Sequence, residues 1–192
     1  IHDGRHTEGT ENARIAVEID AKMAFGTGTH ETTRMLCSML LGMDLSGMRV
    51  LDCGCGTGIL GIVAMKLGAA DCFGYDIDEW SVDNTMHNAV INQVRITAME
   101  GDATVLLQLL QQTDGGQQPF NLVLANINRN ILMADMPTWR QLMTPNGLLL
   151  LSGFYADDVS TLQAHAEKLG FELCEQHEDN YWACMKLQLK AC

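Results

Sequence analysis

The run Val50-Leu51-Asp52-Cys53-Gly54-Cys55-Gly56-Thr57-Gly58 places a carboxylate near the end of an apolar stretch and three glycines directly after it. Glycine tolerates positive φ and carries no Cβ, so such a turn lets a ligand approach the backbone. Gly54, Gly56 and Gly58 are therefore candidate ligand contacts, with Asp52 either facing the ligand or pinning the turn through backbone hydrogen bonds. Asp76, followed by Ile77, closes the next apolar stretch. It stands roughly 20 residues on, where an acid commonly accepts both hydroxyls of an adenosine ribose. Asp102, in Glu100-Gly101-Asp102-Ala103, closes a third. Its carboxylate suits either the exocyclic amine of an adenine, with Ala103 beside it, or the cap of a helix.

Gly56-Thr57-Gly58-Ile59-Leu60-Gly61 also satisfies the dinucleotide pattern G-x-G-x-x-G, a weak match on its own. A pyrophosphate wants an uncluttered helix N-terminus, whereas Asp52, Asp76, Asp78 and Asp102 should converge on this rim. Such a rim favours a cation. S-adenosylmethionine carries a sulfonium and an ammonium against one carboxylate, and it fits these acids better than a dinucleotide does. Asn126, at the end of a fourth apolar run, could accept a hydrogen bond from a target amine and aim its lone pair at the sulfonium methyl. The competing role for Asn126, and more so for Asn128, is to cap the next helix. His30, with Glu31 behind it, is the nearest candidate base, against the plainer reading of a surface residue at a helix start. Cys53 and Cys55 lack the partner ligands that a zinc site needs and read as small buried side chains, so no metal is expected. The 12 methionines read as core filler. Trp80 could stack on an adenine or pack the second helix of the series.

The elements that position these residues form a repeating strand and helix series. Strands are predicted over 49–53, 72–76, 96–100, 120–125 and 148–152. Helices are expected after the glycine turn, over 79–92, through 106–110 and from near Asn128. Turn-rich 113–119 breaks the third of these helices, and Pro145-Asn146-Gly147 breaks the chain before the fifth strand. This is the pattern of a parallel sheet covered on both faces. Two further strands, 171–174 and 181–189, are separated only by a polar turn around residues 178–180. A parallel crossover needs a dozen or more residues, so these two must be antiparallel if they are neighbours. One reversed strand therefore sits in an otherwise parallel sheet. Upstream, Ile15, Val17 and Ile19 alternate with Ala16 and Glu18, as in a strand at a sheet edge or lid. Thr29 can cap the helix that follows, whose apolar stripe holds Met35, Leu36, Met39 and Leu40.

At 192 residues, 47% hydrophobic and 19% charged with 3 prolines, the chain suits one globular domain and excludes disorder and collagen-like repeats. Its apolar stretches stop well short of the ~18 residues that would cross a bilayer. No membrane span is expected. The net charge of −12 repels polyanions, so no direct nucleic-acid contact is expected, and it favours basic partners. Seven cysteines without a framework spacing suggest a reducing, cytoplasmic setting.

The segments Ala24-Phe25-Gly26-Thr27-Gly28-Thr29-His30-Glu31-Thr32-Thr33, Leu51 to Leu60, Asp76-Ile77-Asp78, Ala125-Asn126-Ile127 and Leu151-Ser152-Gly153 together resemble the methyltransferase family that modifies protein eleven of the large ribosomal subunit. The resemblance runs from Ala24 through nearly all of the remaining chain. It implies an α/β, Rossmann-like seven-stranded methyltransferase sheet, mostly parallel with one antiparallel C-terminal strand and helices on both faces. It implies S-adenosylmethionine as cofactor, and methylation of lysine and N-terminal amines on a basic ribosomal protein. It also implies that Phe25 contacts the cofactor and that the loop Thr27, Gly28 and Thr29 closes over its methionine part. Paired glycines in such a loop are what a mobile lid needs, although an ordinary turn leading into a helix would look the same. On this reading residues 24–192 are the catalytic domain, and 1–23 are a polar segment with an edge strand, the remnant of a truncated linker. Members of the family usually carry a separate N-terminal recognition domain, and nothing in these 192 residues plays that part. The competing readings are a methyltransferase with another protein or small-molecule substrate, a nicotinamide-dependent oxidoreductase, and a non-catalytic acidic module holding a basic partner.

Overall fold

Burial alternates residue by residue along the central strands and divides the core in two. Within β4 (Phe120–Asn126), Leu122 and Leu124 join one apolar cluster while Val123 and Ala125 join the other. Leu149 and Leu151 likewise oppose Leu150 in β5 (Met143–Tyr155). Side chains of a strand point alternately to its two faces, so a strand apolar on both must be covered on both. Helices α1 (Glu31–Leu41), α2 (Ile59–Lys66) and α3 (Glu79–Ile91) cover one face. Helices α4 (Ala103–Gln112), α5 (Arg129–Leu142) and α6 (Val159–Lys168) cover the other. The computed structural model describes residues 1–5, 12–21, 26–112 and 119–191.

The remaining strands are β1 (Arg49–Cys53), β2 (Asp71–Asp76), β3 (Thr97–Glu100), β6 (Phe171–Asp179) and β7 (Trp182–Leu189). They form one seven-stranded sheet in the order β3-β2-β1-β4-β5-β7-β6. Pairs up to β5 are parallel, and β7 runs antiparallel to both β5 and β6. The expected reversed strand is present. Its hairpin turns at Asn180 and Tyr181, both at positive φ, as a tight two-residue turn demands. The strand order changes direction between β1 and β4, and the crevice beside such a switch point is where open α/β sheets bind ligands.

Three local expectations change. Residues 15–19 do not join the sheet; a single parallel bridge pairs Glu18 with His2, and Val17 and Ile19 bury against the cluster under α1 and α2. Residues 145–147 do not precede β5 but lie inside it, where the pairing to β4 shifts register between Phe120 and Leu122 and Asn146 adopts a φ of 63°. The helix over 31–41 is capped by His30 rather than Thr29, because His30 has the extended backbone of a cap and its Nδ1 accepts from the Thr32 N–H. The expected turn at 113–119 lies, but for Pro119, outside the described residues.

Gly153 bends β5 around the end of β4. Its φ is +92°, and a Cβ there would stand 2.5 Å from the Ile127 carbonyl oxygen. The Ile127 N–H donates to the Ser152 carbonyl across the same gap at 3.1 Å. Gly170 has a similar φ of +87° with open space around it. Gly170→Ala should therefore cost about 1 kcal/mol, for the left-handed backbone alone. Gly153→Ala should cost clearly more in urea denaturation, and equal losses would contradict this account of the bend.

Candidate functional site

The glycine turn is stitched to the end of β2. Gly54 and Cys55 N–H groups donate to the Tyr75 carbonyl at 2.8 and 3.0 Å, and the Gly56 N–H donates to Asp76 Oδ2 at 3.0 Å. Asp76 Oδ1 accepts from the Asp78 N–H at 3.1 Å. The carboxylate is thus held by two backbone amides, while each oxygen keeps a lone pair for a ligand. Gly54 and Gly56 are at positive φ, and a Cβ on Gly54 would come within 2.6 Å of Ile127 Cγ2. Gly58 serves packing instead: its missing Cβ makes room for Thr85 of α3.

A cavity of about 520 Å³, the size of a small-molecule site, opens over this turn. Gly54, Gly56, Asp76, Ile77, Asp102 and Asn126 all line it, so the structure brings together six of the expected site residues. Asp102 also caps α4, its Oδ1 accepting from the Thr104 and Val105 N–H groups at 2.9 Å. Thr27, Gly28, Thr29, His30, Asp52, Gly58 and Ala103 do not line this cavity. Phe25 lies outside the described residues. Trp80 is 71% exposed and is neither in the lining nor buried in the packing of α3.

Asn126 carries the most pointed feature of the site. Its Nδ2 donates to Thr33 Oγ1 of α1 at 3.2 Å, which fixes the amide. Its Oδ1 is buried and finds no donor among the described residues. Nearly all buried acceptors in folded proteins are satisfied, so an orphan at a cavity wall asks for a ligand N–H or O–H. Asn128 caps α5, accepting from the Asn130 and Ile131 N–H groups.

Beside Asn128 lies a second cavity, of about 470 Å³, walled by Tyr155 and Trp182. Their rings stack at 4.3 Å, and His30 meets Trp182 edge-on at 5.0 Å. His30 Nδ1 also lies 2.8 Å from the Thr32 hydroxyl, so this nitrogen is committed to the start of α1.

Asp135, Tyr155 and Trp182 escape the sequence reading, and Thr33 enters it only as the end of the motif that follows His30. Asp135 lines the first cavity from α5, and its carboxyl is pushed up by burial and then by the charge of Asp102. No local pattern marks it, since it belongs to the cavity only through the packing of α5. Trp182 could have been found from topology: an antiparallel β7 must begin at the rim where the parallel strands end.

Asp52 sits behind the turn, 3% exposed, with Oδ2 accepting from the Gly61 N–H at 2.9 Å. Desolvation raises its pKa to about 7; the Gly61 bond opposes this and Asp76 adds to it. Cys53 and Cys55 are buried, and burial pushes both thiols up, so they stay protonated. Among the described residues no group of three or more His, Cys, Asp and Glu side chains is placed to hold a metal, and no helix is long and apolar enough to cross a membrane.

A family model described as "Ribosomal protein L11 methyltransferase (PrmA)" matches residues 1–190. The ribosomal protein L11 methyltransferase of Porphyromonas gingivalis is 48% identical over 169 residues, which cover 88% of this chain and 56% of that protein. A crystal structure of a ribosomal protein L11 methylase from Lactobacillus delbrueckii subsp. bulgaricus superposes with a TM-score of 0.84 at 23% identity, covering 100% of this chain and 94% of that one. An O-methyltransferase from Bacillus cereus, solved in complex with SAH, has a TM-score of 0.68 at 14% identity and covers 82% of this chain and 81% of its own. The chain spans 56% to 65% of the length of three curated relatives it matches.

Because Asp52 titrates higher folded than unfolded, the folded state holds its proton through the window between the two values. Stability should accordingly fall as pH rises from about 4 toward 7 and level off above. Asp52→Asn keeps an acceptor for Gly61 and removes the charge. Urea denaturation from pH 5 to 8 should show a decline in the wild type that Asp52→Asn flattens. An equal slope in both would contradict the buried titration.

Proposed function

Because this chain belongs to the ribosomal protein L11 methyltransferase family, we propose that it holds S-adenosylmethionine over the glycine turn and directs methyl transfer to amines of that ribosomal protein. The acceptors are lysine side chains and the N-terminal α-amine, and the setting is cytoplasmic. Residues 24–192 form the catalytic unit in this proposal. The observation that carries it is the buried Asn126 Oδ1, which lacks a donor among the described residues.

The residues present fit the cofactor. Gly54 and Gly56 leave a cradle that a Cβ would fill, and Asp76 retains lone pairs suited to two ribose hydroxyls. Asp102 and Asp135 add negative charge to the wall, which suits a ligand of net positive charge and repels a diphosphate. When bound, the cofactor supplies a methyl group on a sulfonium, ready for in-line displacement. The protein's share of the work is alignment and desolvation.

Asn126 supplies the alignment. Its Oδ1 accepts an N–H of the incoming amine and turns the lone pair toward the cofactor, while Thr33 stops the amide from rotating. The amine approaches along Tyr155 and Trp182, whose faces favour a cationic group until it loses its proton. A free lysine amine titrates near 10.4, roughly; burial beside a positive centre lowers that value and lets the proton leave to solvent. His30, with Nδ1 committed to the cap of α1, serves as the edge support of Trp182.

The test is transfer of label from S-adenosyl-[methyl-³H]methionine to purified ribosomal protein L11, with the modified residues read by mass spectrometry. Label on lysine and N-terminal amines is expected, and its absence with cofactor bound would overturn the substrate. Asn126→Ala should lower turnover about 100-fold or more, as loss of alignment does, with cofactor affinity near wild type. Unchanged turnover would remove Asn126 from the reaction. Asp76→Ala should weaken cofactor binding about tenfold or more by calorimetry, since a charge-assisted bond is lost. Undiminished affinity would contradict the ribose assignment.

A further inference from the structure

Asn84, Asn88 and Asn92 recur at every fourth residue on α3 and its C-cap, so their side chains stack on one face. All three are buried. They face the extended segment around Glu18 and Asp20. Asn92 Oδ1 accepts from the Glu18 N–H at 2.9 Å, and its Nδ2 donates to the Glu18 carbonyl at 2.6 Å. Asn88 Oδ1 accepts from the Asp20 N–H at 3.0 Å, and Asn84 Nδ2 donates to the Asp20 carbonyl at 2.8 Å. Four helical residues rise about 6.0 Å, and two strand residues advance about 6.6 Å, so Asn92 meets Glu18 and Asn88 meets Asp20 in step, while Asn84 bonds to the other side of the same residue, Asp20. The helix thereby offers Glu18 and Asp20 amide rungs where a neighbouring strand would offer peptides.

The same helix face holds the glycine turn. Asn88 Nδ2 donates to the Thr57 carbonyl at 2.9 Å, and the Thr85 hydroxyl donates to the Gly56 carbonyl at 3.0 Å. The buried Thr57 hydroxyl in turn donates to the Gly26 carbonyl at 2.7 Å, at the foot of the Thr27–Thr29 loop. One amide, that of Asn88, is therefore shared between the extended segment and the turn that lines the cavity.

We propose that Asn84, Asn88 and Asn92 are positioning residues: an amide ladder that fastens segment 18–20 to α3 and, through Asn88, holds the Gly56–Thr57 carbonyls in the geometry that binds the donor. The ladder acts through backbone groups and touches no reacting atom. Its consequence for donor binding rests on the function proposed above, while the mechanical coupling does not.

Asn92 separates the two ideas, because it bonds to Glu18 and to the Asn88 carbonyl but not to the glycine turn. In Asn92→Ala, amide hydrogen exchange should quicken at Glu18 and Asp20 and also at Gly56 to Gly58, and the calorimetric Kd for S-adenosylmethionine should rise about fivefold or more, a usual coupling between linked sites. The turnover of L11 at saturating donor should stay within about twofold of wild type, since no group at the methyl-transfer line has changed. Glu18→Pro removes the same N–H from the other side of the rung without altering α3 and should reproduce the faster exchange at Asp20 and at Gly56 to Gly58 and the raised Kd, which covers the case in which Asn92→Ala does not fold. Faster exchange confined to 18–20, with the turn and the Kd unchanged, would overturn the ladder as a positioning device. Exchange that spreads to the turn in a protein whose wild type binds no S-adenosylmethionine would uphold the coupling and sink the proposed function instead.

Discussion

The glycine turn stays open because its amides have somewhere to go. Gly54, Cys55 and Gly56 all donate into the end of β2, to the Tyr75 carbonyl and the Asp76 carboxylate. Without those acceptors, a turn that runs through repeated positive φ would leave buried N–H groups unpaired, at a cost of about 1–3 kcal/mol each. With them, the backbone is fixed while the space above it remains empty. The arrangement also settles Asp76, whose two oxygens are oriented before any ligand arrives. A preorganised carboxylate and a cradle without Cβ atoms are two results of one set of hydrogen bonds.

The other half of the site depends on the far side of the switch point. Asn126 ends β4, and its neighbour Ile127 is clasped by the Gly153 bend of β5. Reversal of β7 then has a direct use. An antiparallel strand starts where parallel strands finish, so Trp182 pairs with Tyr155 at the rim beside Asn128. The hairpin tip is tied back to α1 through Arg34 with Asp179 at 2.8 Å and Asn180 with Glu31 at 3.1 Å. These exposed contacts contribute little energy, but they set the aromatic pair against the same helix that supplies Thr33 to Asn126. The two cavities share Asn128, two residues beyond Asn126, in their linings.

Much of this was legible in the residues because it is encoded at short range. The glycine turn, the acids that end β2 and precede α4, the asparagine after β4 and the reversed strand all follow from local pattern or connection length. The parts that were not legible depend on packing. Asp135 reaches the cavity only because of how α5 lies on the sheet, and Thr33 matters only because α1 crosses the end of β4. His30 displaced Thr29 as the cap because an imidazole nitrogen can accept as a hydroxyl does, which residue preference alone ranks lower. The asparagine spacing on α3 gains its meaning only from the segment that lies against that face. Residues 15–19 alternate like a strand, but among the described residues they bridge only to His2 on one edge and bond to a helix on the other.

On the function proposed above, the cavity is built for a cationic adenosyl sulfonium rather than a diphosphate. The most direct measurement is calorimetric titration of the wild-type protein with S-adenosylmethionine and, separately, with a nicotinamide dinucleotide under the same conditions. Saturable binding of one S-adenosylmethionine per chain, with no heat from the dinucleotide, is the predicted result. Saturable binding of the dinucleotide with none of S-adenosylmethionine would contradict it.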